Sequence, residues 1–134
     1  DYMIVVSGVQ WGAYTSTEPF FSTNGTANLN YELVSTTGGT TTNTTGSGLS
    51  GVPLVGTASV DGTYFNGVLY LFNVNTTSNM QTGYAHFASV GASSAAVSNF
   101  CAFSRTSGVA ITSATISGQG MNSGHINLYG LKKS

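Results

Sequence analysis

Apolar residues recur along this chain with a period of two, in short runs broken by Gly, Asn and Asp. That spacing predicts strands. Met3 to Trp11 opens with a continuous apolar run. Asn28 to Ser35 alternates, with Leu29, Tyr31 and Leu33 on one face. Val52 to Val60 and Val68 to Val74 follow, the latter nearly continuous through Leu69-Tyr70-Leu71-Phe72. Gly83 to Val90 sets Tyr84, His86, Ala88 and Val90 against Ala85, Phe87 and Ser89. Ser98 to Arg105, Ala110 to Ser117 and His125 to Leu131 bring the expected total to about eight. Helical spacing of three and four is nearly absent. The pattern predicts an all-β protein, an antiparallel β-sandwich. Eight strands with mostly long connections favour the jelly-roll type over a meander. The expected core is Val5, Leu29, Tyr31, Leu33, Leu69, Leu71, Phe87, Phe103, Ile111, Ile126 and Leu128.

Thr36 to Gly51 interrupts this pattern. It holds Thr, Gly, Ser and Asn with Leu49 as its one sizeable apolar residue, and predicts a low-complexity surface loop at 36–51. Neither flank is long enough to fold alone, so residues 1–134 read as a single domain.

Two runs, Met3-Ile4-Val5-Val6 and Leu69-Tyr70-Leu71-Phe72, are apolar on both faces. A sandwich strand needs only one apolar face, so these runs ask for a second cover. A neighbouring subunit would supply it. Met3, Ile4, Val6, Tyr70 and Phe72 are therefore the candidate subunit or partner interface, and a symmetric homo-oligomer is expected.

Charge narrows the function. Three Lys/Arg and four Asp/Glu give a net charge of -1, and charged residues make up 5% of the chain. Three cations cannot form the basic stripe that nucleic-acid binding requires. Seven Phe, seven Tyr and 40% apolar content argue against disorder. No apolar run approaches the roughly 20 residues of a membrane-spanning helix. Neither nucleic acid nor a membrane is an expected partner.

Little catalytic chemistry is on offer. Asp1, Glu18, Glu32 and Asp61 lie far apart in sequence, and acid–base catalysis needs such groups in pairs. His86 and His125 have no H-x-H or C-x-x-C companion, so no metal or cofactor is expected. His86 reads as a partly buried, hydrogen-bonded histidine and His125 as an exposed one. There is no G-x-S-x-G elbow and no phosphate-binding glycine loop. Cys101, within Phe100-Cys101-Ala102-Phe103, reads as a small buried hydrophobe. No enzyme is expected. Trp11, Tyr14 and Tyr64, each at the end of an expected strand, are candidate glycan contacts, with core packing as the competing role.

The C-terminal half carries a resemblance. Gly67-Val68-Leu69-Tyr70-Leu71-Phe72-Asn73-Val74-Asn75-Thr76-Thr77 and the ending Met121-Asn122-Ser123-Gly124-His125-Ile126-Asn127-Leu128-Tyr129-Gly130-Leu131-Lys132 are similar to segments of small jelly-roll virion proteins of tailed bacteriophages. Ile111 to Ser117 resembles the penultimate strand of those proteins. Met121 stands where an aromatic is commoner, and Val74 where Pro often sits. The similarity covers roughly residues 64 to 132 and implies a virion context without catalytic residues.

Three roles are compatible with that resemblance and composition. One is a capsid decoration (cement) protein on the exterior of the particle, with itself, as a trimer, and the major capsid protein or another virion protein as partners. The second is a receptor-binding tip of a tail or head fibre that recognises host-surface glycan. The third is a secreted carbohydrate-binding module. The absence of a heptad stalk ahead of the domain favours the first.

Overall fold

The computed structural model describes residues 1–13, 19–24, 28–56, 64–77, 80–90, 95–106, 109–117 and 119–132, with side chains assigned outside 11–13 and 119–121. Ten strands lie among the described residues: β1 (Tyr2–Ala13), β2 (Phe20–Thr23), β3 (Leu29–Thr37), β4 (Thr40–Leu49), β5 (Val52–Pro53), β6 (Tyr64–Phe72), β7 (Gln81–Val90), β8 (Ala96–Arg105), β9 (Ala114–Ser117) and β10 (Gln119–Gly130). They form an antiparallel β-sandwich of two unequal sheets. The larger runs β10-β1-β6-β7-β8-β3-β4 and the smaller β5-β2-β9. Hairpins join β3 to β4, β6 to β7 and β7 to β8 inside the large sheet.

Alternation decides what goes inside. Along β7 every second residue is buried, from Gln81 through Gly83, Ala85 and Phe87 to Ser89. β8 repeats this with Val97, Asn99, Cys101, Phe103 and Arg105. Leu69 of β6 pairs with Ile4 on one side and Ala85 on the other, and all three are buried. Phe21, Val52 and Leu54 close the core from the small-sheet side, with the Phe21 ring 5.1 Å from that of Phe103.

Several expectations change. The expected loop at 36–51 is a strand: Thr36 and Thr37 end β3, Gly38 and Gly39 turn the chain, and β4 runs back along β3. Both glycines have positive φ, 55° and 87°, as a two-residue hairpin turn of the I′ kind requires. Thr favours extended backbone, and a β4 that buries no side chain needs only β3's free ladder groups to form. Gly46 sits opposite Tyr31, and a Cβ there would stand 2.5 Å from Tyr31 Cε1. Val52 to Val60 shortens to β5, with Leu54 and Val55 buried beyond it and 57–60 outside the described residues.

The core assignment is corrected on β1 and β10. Ile4 and Val6, expected at an interface, are buried in the core, while Val5, expected in the core, is half-buried on the opposite face. A continuous apolar run carries no phase, and a shift of one residue exchanges the faces. Ile126 and Leu128 do share the inner face with Val6 and Ile4, yet remain exposed, because three strands cannot cover seven. Leu29, Leu33, Leu69, Leu71, Phe87 and Phe103 are buried, and Tyr31 and Ile111 pack partly buried against them.

Candidate interaction face

The residues turned away from the small sheet form the most distinctive surface of the molecule. Register places them in rows across the large sheet. One row runs Tyr129, Met3, Tyr70, Tyr84, Ala102, Glu32. The next runs Asn127, Val5, Val68, His86, Phe100, Val34. Phe72 stands beside Tyr70 on β6, their ring centroids 6.2 Å apart and nearly parallel. Tyr70 meets Tyr84 at 4.9 Å, and Tyr84 meets Phe100 at 6.0 Å. Four rings from β6, β7 and β8 thus form one connected aromatic cluster. Tyr70 and Phe72 are half-buried by their neighbours, whereas Tyr84 and Phe100 expose 36% and 45% of their surface.

The chemistry of this face is amphipathic but almost uncharged. Glu32 is the one carboxylate among the described residues of these two rows, and it stands at the β3 end. His86 is exposed and shares a hydrogen bond with Ser98 Oγ at 3.1 Å. The hydroxyls of Tyr70, Tyr84 and Tyr129 give rings that can lie against protein and still bond at their tips. Six strands of about ten residues, spaced about 4.8 Å apart, present roughly 1,000 Å². That is about what one partner contributes to an ordinary protein–protein interface. Few charges with Tyr, Phe and Met enriched is also the composition of an interface centre.

Of the candidate interface residues, Met3, Tyr70 and Phe72 lie on this face; Ile4 and Val6 do not. Tyr84 and Phe100 were missed. Their signal was available, since Phe87 and Phe103 in the core place Tyr84 and Phe100 on the other phase of the same strands.

The remaining candidates that the structure describes stand apart from one another. Tyr64 opens β6 opposite Gln10 and is 55% exposed. Tyr14 lies outside the described residues, as does the side chain of Trp11. His86 on β7 and His125 on β10 are three strand spacings apart, roughly 14 Å. That is too far for one metal ion. Asp61 and Glu18 lie outside the described residues. Among the described residues no three His, Cys, Asp or Glu side chains cluster as metal ligands would. Cys101 is fully buried, and loss of solvent pushes its thiol pKa up to about 12. A thiol so held is a packing group and no nucleophile.

Comparison with protein-family models, with curated proteins and with solved structures gives no match for this chain.

Proposed function

We propose that this protein is a non-enzymatic structural protein of a bacteriophage virion, a capsid decoration (cement) protein on the particle exterior that assembles as a homotrimer. The observation that carries an assembly role is the aromatic outer face of the large sheet. Exposed Tyr84 and Phe100 beside Tyr70, Phe72 and Met3 are costly to leave in water and stabilise a contact when covered. The virion context rests on the sequence resemblance. Its two motif segments supply β6 and β10, the strands on either side of β1, and place Tyr70, Phe72 and Tyr129 on this same face. The trimer number also comes from the resemblance.

Light scattering coupled to size exclusion tests the assembly, and labelling in intact particles tests the location. The expected result is a trimer at tens of micromolar that Tyr84→Lys dissociates while the β-signal persists. A wild-type monomer, or a trimer indifferent to Tyr84→Lys, refutes the assembly through this face. Label absent from the capsid refutes decoration.

A fibre-tip reading has one observation in its favour: Tyr64, Tyr84 and Tyr129 are exposed, hydroxyl-bearing rings of the kind that stack on sugars. Binding to host-surface glycan that Tyr64→Ala or Tyr84→Ala abolishes would select it over decoration.

A further inference from the structure

The large sheet ends on β10, a twelve-residue strand with no partner on its outer side among the described residues. An edge of this kind is normally blunted by charge, by proline or by being short. Gln119 to Gly130 contains no Lys, Arg, Asp, Glu or Pro. It also exposes three large apolar side chains within four residues: Ile126 at 40%, Leu128 at 64% and Tyr129 at 48%.

Backbone geometry defines which groups this edge offers. The Leu131 amide donates to the Asp1 carbonyl at 2.8 Å. Bonded pairs alternate along an antiparallel ladder, so Tyr129 bonds Met3, Asn127 bonds Val5 and His125 bonds Ser7. The amides and carbonyls of Ile126, Leu128 and Gly130 therefore turn away from β1, toward the open side. On that side the two sheets gape. Tyr2, Leu71, Val74, Ile111 and Leu128 line a cleft of about 190 Å³ between β10 and the segment entering β9.

We infer that β10 pairs with β10 of a second copy of this chain, antiparallel about a twofold axis through Asn127. This register is the one that satisfies both chemistries. Ile126 and Leu128 bond Leu128 and Ile126 of the partner subunit through the outward backbone groups. Their side chains then meet as cross-strand apolar pairs over the two clefts. On the outer face His125 stands opposite Tyr129 of the partner subunit, and no like charges face each other. Shifting the axis to Leu128 or to Ile126 leaves one apolar side chain opposite a glycine, Gly130 or Gly124. A contact that is its own complement is what twofold pairing needs.

The contact is small. In this register Gly124 to Gly130 of the two copies face one another, seven residues about 24 Å long, and the sheets lie about 10 Å apart, so each copy contributes roughly 240 Å². The total of roughly 480 Å² lies at the weakest end of the transient class. This inference does not depend on the trimer.

Because the contact is weak, the test traps it. In the inferred register the two Asn127 residues form a non-bonded pair with Cα atoms about 4.5 Å apart, within disulfide range. Asn127→Cys should oxidise to a covalent dimer under mild oxidant, with Cys101 too buried to compete. Thr41→Cys on β4, the opposite edge, should stay monomeric on a non-reducing gel. Adding Leu128→Lys to Asn127→Cys should lower the dimer yield about tenfold, by setting an ammonium opposite Ile126 of the partner subunit. Adding Tyr84→Lys should leave the yield unchanged. No dimer from Asn127→Cys, or equal yields from Asn127→Cys and Thr41→Cys, overturns the inference. Loss of the disulfide on Tyr84→Lys would place the self-contact on the aromatic face instead, and likewise overturns it.

Discussion

Arg105 donates from Nη1 to Oε1 of Gln81 at 2.8 Å, with both side chains buried at paired positions of β8 and β7. The same Nη1 reaches the Val109 carbonyl at 2.9 Å. Gln81 Nε2 in turn donates to the carbonyls of Thr76 and Val109, at 3.0 and 2.9 Å. These two side chains fasten the segments after β6 and β8 to the end of the sheet. Gln81→Leu keeps the volume but strips a buried guanidinium of an acceptor and takes from the part-buried Thr76 carbonyl its side-chain donor. The expected loss is about 3 kcal/mol, read as a fall in Tm on the order of 10 °C.

Phase along β6 gives the next prediction. Leu69 is fully buried between Ile4 and Ala85, and Leu71 is nearly so between Tyr2 and Gly83. Leu69→Ala and Leu71→Ala should each cost roughly 2–5 kcal/mol in denaturant unfolding. Val68→Ala, one residue before Leu69 and facing outward, should cost well under half as much in a monomeric background. Equal losses at all three positions would contradict the face assignment.

Cys101 makes stability depend on pH in one direction. Its pKa rises from an ordinary 9.0 to about 12 because burial disfavours the thiolate. A raised folded-state value means the folded chain holds the proton more tightly than the unfolded chain does. The stabilisation is complete below pH 9.0 and is lost as pH climbs toward about 12. Wild type and Cys101→Ala share every other titrating group, so their stability difference should narrow across that window. Iodoacetamide at pH 8 should label Cys101 only after denaturant is added.

Excision of β4 should be tolerated. Ordering its ten residues costs roughly 10–20 kcal/mol of conformational entropy, which its ladder bonds must offset without help from buried side chains. The balance is near zero. A flexible ten-residue Gly-Ser linker in place of Thr40 to Leu49, long enough to run back past β3, should keep the β-signal in circular dichroism and move Tm by a few degrees. Collapse of that signal would mean that β3 cannot serve as an edge.

The fold was legible wherever alternation was strict. Gly83 to Val90 reads off as β7, with Ala85 and Phe87 inward. At Met3 to Val6 the run is apolar at every position, so the sequence predicts a strand without saying that Ile4 and Val6, and not Val5, face the core. β4 was hidden for the opposite reason: nothing in Thr40 to Leu49 alternates, and only the Gly38-Gly39 turn marks it. β2 was overlooked because four residues, Phe20 to Thr23, are too short for any period to show. Exposure of Ile126 and Leu128 depends on how far the small sheet extends, which is a property of both sheets and of no local pattern. The same limit applies to the aromatic face. Tyr70 and Phe72 declare themselves as an apolar run, but their union with Tyr84 and Phe100 needs the β6-β7-β8 order.

The Thr-rich edge also has an alignment problem that its composition does not solve. Five of the first six residues of β4 are Thr, so sliding the strand along β3 replaces one hydroxyl with another. Gly46 breaks that degeneracy. The Tyr31 ring occupies the space where a Cβ would go, 2.5 Å from Cε1, and Leu49 Cδ1 closes it at 2.8 Å. Slide β4 so that Thr45 or Ser47 stands there and the ring must be expelled into water. The missing side chain of one glycine thus acts as a detent that backs up the Gly38-Gly39 turn, and Gly46→Thr should loosen the alignment of the hairpin while the rest of the sandwich stays fixed.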